Sequence, residues 1–140
     1  MIRCDIKTHK IKESLNKYSA GASGKASFNI DDLKDDKAFF AVARNAHQEA
    51  IGCGAVRAMD AHTGEVKRVY AKEKGKGVGT LILRFLEEES RKLGYHTLRL
   101  ETRRINERAV QFYFSQGYKE IPNYGHYQNR PEAICFEKSL

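Results

Sequence analysis

The chain has 140 residues, of which 41% are hydrophobic and 31% are charged, and its formal net charge is +7. This length suits one domain over residues 1–140 that needs no disulfide or structural metal to fold, and the composition excludes disordered, collagen-like and repeat proteins. No apolar run approaches the roughly 18 residues of a membrane span, and the N-terminus is charged where a signal peptide is apolar, so a cytoplasmic location is expected.

The first half of the chain is predicted to contain one helix and four strands. In chain order, the predicted elements are a strand over residues 2–6, a helix over 9–18 that Thr8 could cap, a loop over 19–36, and strands over 38–44, 50–59 and 65–71. A hairpin over 45–48 joins two of these strands, and a turn over 60–64 precedes the last.

The second half of the chain is predicted to alternate helices with strands. A helix over 78–93 carries apolar residues on one stripe and charged residues opposite, with Gly94 as its C-terminal cap. The remaining elements are a strand over 96–101, a helix over 106–115, and strands over 118–121 and 133–138. This order predicts an α/β domain with a mixed sheet, in which the strands on either side of helix 78–93 are parallel.

A glycine-rich turn, KGKGVGT over residues 74–80, connects the predicted strand 65–71 to helix 78–93. Glycines allow a tight turn and the close approach of a ligand, while the helix N-terminus presents free N–H groups and the positive end of the helix dipole. The turn is therefore predicted to bind an anion such as a pyrophosphate, and the lysines at 72, 74 and 76 add positive charge there.

Two kinds of nucleotide site fit this turn. A dinucleotide-binding oxidoreductase would use Gly-x-Gly-x-x-Gly, and Glu101 at the end of the next strand mimics its ribose-binding acid. The third glycine is missing, because Thr80 or Ile82 occupies its position, and the strand Glu65–Tyr70 is too charged to be buried on both faces. The other kind is an acyl-CoA site.

Residues 74–79 resemble the (Arg/Gln)-x-x-Gly-x-(Gly/Ala) turn of the GNAT superfamily of N-acetyltransferases, with Gly77 and Gly79 matching and Lys74 in place of Arg or Gln. A second block, Leu100–Tyr118, is similar to the family's Asn-x-x-Ala-x-x-Phe-Tyr-x-x-x-Gly-(Phe/Tyr) helix, and Cys135–Lys138 looks like the last strand of small bacterial members. The resemblance covers residues 50–138.

The resemblance implies a single GNAT-like domain, with a mixed, mostly antiparallel sheet of six or seven strands and a central parallel β-α-β unit flanked by helices. It implies transfer of an acetyl group from acetyl-CoA, the cosubstrate, to a primary amine by direct attack in a ternary complex. Strand 65–71 should splay from strand 96–101, and a homodimer would fit the resemblance. The residues expected to contact acetyl-CoA are Val69, Ala71, Lys74, Gly75, Lys76, Gly77, Val78, Gly79, Thr80, Asn106 and Ala109.

Two side chains are predicted to be catalytic on the same resemblance. Tyr113 is the predicted general acid, because a phenol with a pKa of about 10 can return a proton to a departing thiolate whose thiol pKa is about 8.5. Glu65 is the predicted general base, because it opens the strand before the turn, where family members often carry a catalytic Glu. Without the motif, Tyr113 would be interpreted as a core aromatic and Glu65 as a surface partner of Lys67.

A small basic nucleic-acid-binding module is the alternative outside the enzymes. Arg99, Arg103, Arg104 and Arg108 would then form part of a basic patch. The histidines have no metal-ligand spacing and the three cysteines form no redox pair, so no metal is expected.

The acceptor amine is open between a small amine, an amino acid, an antibiotic and a protein. The resemblance implies that the region before the last strand borders the acceptor pocket. That region contains His126 in a polar aromatic loop. The segments expected to shape the pocket are residues 19–36 and 121–131.

Overall fold

A seven-stranded mixed sheet with two helices forms the part of the chain that the computed structural model describes, residues 2–6 and 37–140. The predicted helix over 9–18 and loop over 19–36 lie outside the described residues. The elements are β1 (Arg3–Ile6), β2 (Phe39–Arg44), β3 (Ala50–Ala58), β4 (Thr63–Ala71), α1 (Val78–Lys92), β5 (Thr97–Arg103), α2 (Glu107–Ser115), β6 (Lys119–Ile121), a 3-10 helix (Gly125–Tyr127) and β7 (Ala133–Ser139).

The strand order across the sheet is β1-β2-β3-β4-β5-β7-β6. All neighbouring pairs are antiparallel except β4 and β5, which are parallel and joined by α1. The predicted mixed sheet with a central parallel β-α-β unit is therefore confirmed. Neither helix in the described ranges is long and apolar enough to cross a membrane.

The start of β4 is the main difference from the predicted elements. The strand begins at Thr63 and not at Glu65, because the turn before it is shorter than predicted. The Asp60 carboxylate caps that turn by accepting hydrogen bonds of 2.8 Å from the backbone N–H groups of both His62 and Thr63. Glu65 consequently lies inside β4, where it pairs with Arg57 of β3 on one side and with Arg99 of β5 on the other.

Strands β4 and β5 diverge after three residue pairs, Thr63–Thr97 to Glu65–Arg99. The pairing of β4 with β3 also shifts register between Cys53 and Ala55, where Arg68 adopts a left-handed φ of 59°. An extra residue in one strand of an antiparallel pair bends that strand and increases its twist. This bulge therefore accompanies the predicted opening between β4 and β5, which the register confirms.

Helix α1 packs directly on β3 because two glycines of that strand leave room for its side chains. A β-carbon on Gly52 would lie 2.5 Å from Ile82 Cδ1 and 2.7 Å from the Tyr70 carbonyl oxygen, and one on Gly54 would lie 2.8 Å from Leu86 Cδ1. Ile82 and Leu86 are both buried in the main core. The apolar stripe of α1 therefore depends on a glycine-lined surface of the sheet.

We expect Gly52→Ala to lower the free energy of unfolding by about 1–3 kcal/mol, because the added methyl group overpacks this contact. Urea denaturation of the variant and the parent would measure the change. Ile82→Val, which removes the clashing Cδ1 atom, should recover part of the loss in the Gly52→Ala background. Equal stability of Gly52→Ala and the parent would contradict this packing.

Candidate active site

A cleft with a volume of about 350 Å³ opens between the start of α1, the end of β4 and one face of α2. Ten of the eleven predicted acetyl-CoA contacts line it, and the exception is Lys76. The lining consists of Val69, Ala71, Glu73, Lys74, Gly75, Gly77, Val78, Gly79, Thr80, Asn106, Arg108, Ala109, Phe112 and Tyr113. The structure thus brings the two motif blocks, which are separate in sequence, into one cavity.

The glycine-rich turn leaves the N-terminus of α1 available to a ligand. Gly75 and Gly77 have left-handed φ angles of 75° and 79°, which side chains rarely adopt, and a β-carbon on Gly77 would meet nothing within 4 Å. Gly77 is the N-cap of α1, no side chain accepts from the first turn, and that turn contains no acidic residue. The first N–H groups and the positive dipole end are therefore open to an anion.

Lys74 and Arg108 line the cleft beside this turn, and of these two only Lys74 is a predicted acetyl-CoA contact. Lys74 lies on the turn, where its ammonium donates to the Ala71 carbonyl oxygen at 3.3 Å. The guanidinium of Arg108 reaches over from α2, so that a β-carbon on Gly75 would lie 3.8 Å from its Nη2 atom. The available signal was the position of Arg108 two residues after Asn106, in the first turn of the second motif helix.

Helix α2 is capped differently from α1. The Asn106 side-chain oxygen accepts from the Ala109 N–H at 3.2 Å, so this N-terminus is satisfied by its own cap. Asn106 and Ala109 line the cleft, as the spacing predicted, and the amide nitrogen of Asn106 can donate to a ligand there. Between these two N-termini in the described ranges, α1 is therefore the one whose first N–H groups no capping side chain satisfies.

Tyr113 lies at the inner end of the cleft with 8% of its surface exposed. Its ring contacts Phe112, Tyr118 and Phe136, with centroid distances of 5.2, 5.9 and 5.9 Å. Burial raises the pKa of Tyr113 well above its usual value, so the hydroxyl keeps its proton at neutral pH. No residue in the described ranges forms a hydrogen bond with this hydroxyl, which leaves it free to donate to a ligand in the cleft.

A narrower gap of about 80 Å³ continues from the cleft between the diverging strands β4 and β5. Val69, Asn106, Ala109 and Tyr113 line both spaces. The gap is also lined by residues of the two strands themselves, which are Val66, Lys67, Arg68, Leu100, Glu101 and Thr102. A ligand in the cleft can therefore be reached from the far face of the sheet through the opening beside Tyr113.

Glu65 lies on that far face but does not line the cleft or the gap. It is 2% exposed, and its carboxylate accepts from Arg57 Nε at 2.9 Å and Tyr124 Oη at 2.6 Å, with Lys67 Nζ at 3.4 Å. Burial, followed by the Glu65 charge, raises the pKa of Tyr124, so its hydroxyl remains a donor. The role of Glu65 as general base stays a prediction, and the structure shows a carboxylate that accepts two hydrogen bonds and forms an ion pair with Lys67.

The loop before β7 covers the far face of the sheet through its 3-10 helix. Tyr127 is buried and accepts a hydrogen bond of 2.6 Å from Lys67 Nζ, while Tyr124 binds Glu65. Asn123 ties the loop together by donating to the backbone of Tyr127 at 3.1 Å. These long-range partners have no signal in the sequence pattern, because about 60 positions separate them from β4. His126 lies on this loop, exposed, against the Tyr127 ring.

The arginines of the proposed nucleic-acid patch are largely occupied. Arg99 Nε pairs with Glu137 at 2.9 Å, and Arg104 Nη2 pairs with Glu120 at 3.1 Å. Arg108 lines the cleft. Two of the four arginines are therefore paired with carboxylates, and a third borders the cleft. Within residues 2–6 and 37–140, no three His, Cys, Asp or Glu side chains gather as metal ligands.

Comparisons with known proteins agree with this geometry. The model of the acetyltransferase (GNAT) family matches residues 8–118. The chain is 30% identical to the IAA acetyltransferase of Azospirillum brasilense over 136 residues, which cover 91% of this chain and 87% of the relative. It is 34% identical over 96 residues to YsnE of Bacillus subtilis, an uncharacterised N-acetyltransferase, and the match covers 66% of this chain and 64% of YsnE, a little under two thirds.

Solved structures share the whole architecture. A provisionally named acyl-CoA N-acyltransferase from Klebsiella pneumoniae superposes with a TM-score of 0.86 at 28% identity, covering 100% of this chain and 98% of its own. A GNAT-family acetyltransferase from Elizabethkingia anophelis with acetyl-CoA bound superposes with a TM-score of 0.79 at 18% identity, covering 99% and 98%. At that identity, the second match bears on the fold alone.

Proposed function

The chain belongs to the GNAT acetyltransferase family, and on that premise we propose that it transfers the acetyl group of acetyl-CoA to a primary amine by direct attack in a ternary complex. The observation that carries the proposal is the continuity of the site. One cavity joins an anion-binding helix N-terminus to an opening between splayed strands, with a protonated tyrosine where they meet. Acetyl-CoA matches that arrangement, because its pyrophosphate would lie at the helix N-terminus and its reactive thioester at the opening beside the tyrosine.

The residues of the cleft fit acetyl-CoA at three places, which are the pyrophosphate, the pantetheine amides and the passage of the pantetheine arm beside α2. The N–H groups from Gly77 to Thr80 would hold the pyrophosphate. The backbone near Val69 and Ala71 would pair with the pantetheine amides, because β5 does not pair with this part of β4. Ala109 lines the α2 side of the cleft with a small side chain, so the pantetheine arm can pass close to that helix.

Tyr113 would act at the sulfur end of the cleft. When bound, acetyl-CoA supplies a thioester carbonyl open to attack and a thiolate leaving group. The Tyr113 hydroxyl is protonated and has no protein partner in the described ranges, so it can donate to the sulfur as the C–S bond breaks. Surrounding aromatic rings pack against Tyr113 and hold its ring at this position.

The amine enters from the opposite face of the sheet, through the gap between β4 and β5. The walls on this side are charged and aromatic, with Lys67, Glu101 and the loop that carries Tyr124 and Tyr127 nearby. The amine and the thioester would therefore approach each other from two faces of one sheet. This arrangement holds both reactants together and favours direct transfer over a covalent enzyme intermediate.

The test is an acetylation screen with defined amines. Purified protein is incubated with acetyl-CoA and, separately, with amino acids, polyamines, aminoglycosides and a lysine peptide. Thiol release is followed, and each product is identified by mass spectrometry. An amide product whose mass has increased by one acetyl group, formed only with enzyme, supports the proposal. Binding of acetyl-CoA without acetylation of any of these amines would contradict the proposal that the acceptor is a primary amine of one of these classes.

Arg108 provides a sharper test of where the phosphates lie. We expect Arg108→Gln to weaken acetyl-CoA binding about three- to tenfold at low salt, because an exposed guanidinium adds only a modest charge-assisted contact. The difference from the parent should shrink as ionic strength rises. Arg104→Gln is the matched control, since Arg104 lies outside the cleft and pairs with Glu120. Equal affinities for the Arg108→Gln variant and this control would place the phosphates elsewhere.

A further inference from the structure

A buried lysine lies at the gap through which the amine would reach the thioester. Lys67 lines this gap from β4, and only 7% of its surface is exposed. Burying a charged group is costly unless hydrogen bonds and opposite charges compensate for the lost water. Lys67 is neither one of the predicted acetyl-CoA contacts nor one of the two predicted catalytic residues. The proposed transfer therefore gives no reason for an ammonium group at this position.

The Lys67 ammonium shares its negative partner with other donors. It donates to the neutral Tyr127 hydroxyl at 2.6 Å and forms an ion pair of 3.4 Å with Glu65. The Glu65 carboxylate also accepts from Arg57 Nε at 2.9 Å and from Tyr124 Oη at 2.6 Å, so Lys67 is the most distant of the three. An ammonium has three N–H donors. Among the residues that the structure describes, these two partners leave one donor of Lys67 for a ligand.

The gap presents a positive and a negative group to an acceptor. Glu101 lines it from β5, opposite Lys67 on β4. Burial raises the pKa of the Glu101 carboxyl, and the Lys67 charge opposes that rise, so the two charges act on each other. The ammonium and carboxylate of an amino acid complement this pair. A polyamine, an aminoglycoside or a lysine side chain has no carboxylate beside its amine, and the first two would bring further positive charge towards Lys67.

We propose that the acceptor is a free α-amino acid, whose carboxylate binds the Lys67 ammonium while its amine faces the thioester. This inference rests on the proposed acetyltransferase function and gives the substrate class for it. The volume of the gap, about 80 Å³, favours an acceptor whose two charged groups lie close together. In an α-amino acid one carbon atom separates the amine from the carboxylate, so a carboxylate held at Lys67 also limits where the nitrogen can lie.

The product of this reaction is an N-acetylamino acid. The nitrogen of the amino acid forms a bond to the acetyl carbon, and the C–S bond breaks with its electron pair on sulfur. The ammonium loses two protons in total, of which one is balanced by the proton on the CoA thiol and the other is released to water. The amino acid carboxylate is unchanged, so the ion pair with Lys67 persists from substrate to product.

The first test compares acceptors that differ only at the carboxylate. The ordinary L-amino acids are screened with acetyl-CoA, and the best of them is compared with its methyl ester and with the amine that its decarboxylation yields. Both analogues should have a kcat/KM about 10- to 100-fold lower, because they lack the charged partner of Lys67. Acetylation of the decarboxylated amine with an equal or higher kcat/KM overturns the inference and leaves the acetyltransferase function in place.

The second test removes the ammonium. In Lys67→Met the preference for the amino acid over the decarboxylated amine should fall to about threefold or less, while Lys67→Arg, which keeps the charge, should retain more of it. Lys92→Met is the matched control, because it removes an ammonium that pairs with Glu89 at 3.2 Å on α1, outside the gap. This control should keep the parental preference. The parental preference in folded Lys67→Met protein overturns the inference.

A binding measurement needs no turnover. Parent protein saturated with CoA is titrated calorimetrically with N-acetyl-L-leucine, N-acetyl-L-phenylalanine and N-acetyl-L-glutamate, and with the N-acetylated amines that lack their α-carboxylates. At least one N-acetylamino acid should bind about tenfold or more tightly than its matched amide, and Lys67→Met should lose the difference. Absence of any such difference in the parent overturns the inference. Failure of the parent to bind CoA would instead overturn the proposed function itself, so the two failures are distinguishable.

Discussion

Gly79→Glu is expected to abolish acetyl-CoA binding, with an increase in Kd of at least about 100-fold, or roughly 3 kcal/mol. Gly79 is in the first turn of α1, and a β-carbon there would lie 3.4 Å from the Phe112 ring across the cleft. The glutamate side chain would therefore extend into the space between α1 and α2. It would fill the position of the pyrophosphate, and its negative charge would occupy the helix N-terminus in place of the ligand.

Two controls separate this effect from unfolding and from net charge. Gly79→Ala places only a methyl group at van der Waals distance from Phe112, and it should bind acetyl-CoA far better than Gly79→Glu. Arg84→Gln changes the net charge by the same amount on an exposed position of α1 outside the cleft. Calorimetric titration, with circular dichroism to establish folding, measures all three. Normal binding by folded Gly79→Glu protein would place the cofactor elsewhere.

Tyr113→Phe should lower kcat at least tenfold and leave the Kd for acetyl-CoA nearly unchanged. Removing a positioned general acid usually costs a factor of about 10²–10⁴ in rate, and part of that loss can be compensated by water. The ring contacts with Phe112, Tyr118 and Phe136 remain in the variant. Thermal stability should therefore change little, since the hydroxyl has no protein partner in the described ranges. Steady-state kinetics beside calorimetric titration would measure both quantities.

Tyr118→Phe is the matched control for this variant, because the two tyrosine rings are 5.9 Å apart in the same cluster. The Tyr118 hydroxyl donates to the Glu87 carboxylate at 2.8 Å, and Lys138 Nζ lies 3.1 Å from the same carboxylate. Removing that donor should cost about 1–3 kcal/mol of stability and leave kcat unchanged. An unchanged kcat in Tyr113→Phe, or equal losses of kcat in both variants, would remove Tyr113 from the acid role.

Local patterns predicted the anion-binding end of the site, because its geometry is set by neighbouring residues. The left-handed conformations of Gly75 and Gly77 and the start of α1 at Val78 all lie within four consecutive positions. The amphipathic stripe of α1 depends likewise on a short repeat. Sequence spacing was therefore sufficient to place the turn, the helix and the cleft residues that belong to them.

Contacts across the sheet could not be predicted in this way. The bulge at Arg68 depends on how β4 pairs with β3, and the covering of Glu65 by Tyr124 joins residues 59 positions apart. Residue type alone marks Glu65 and Glu101 as equivalent acids. Only the register of the strands shows that one is enclosed by donors while the other lines the gap. The prediction of Glu65 as the general base rests on its place at the start of the strand before the turn, where family members often carry a catalytic Glu, and it stays a prediction.

The proposed transfer requires acetyl-CoA binding in the cleft, and calorimetric titration of the purified protein at moderate salt tests it. NADH and a short DNA duplex serve as controls for the dinucleotide and nucleic-acid alternatives. We predict one-to-one binding of acetyl-CoA in the micromolar range, with little heat from either control. Folded protein that binds a control but not acetyl-CoA would contradict the assignment of the cleft, and the control that bound would identify the ligand class to which the glycine-rich turn belongs.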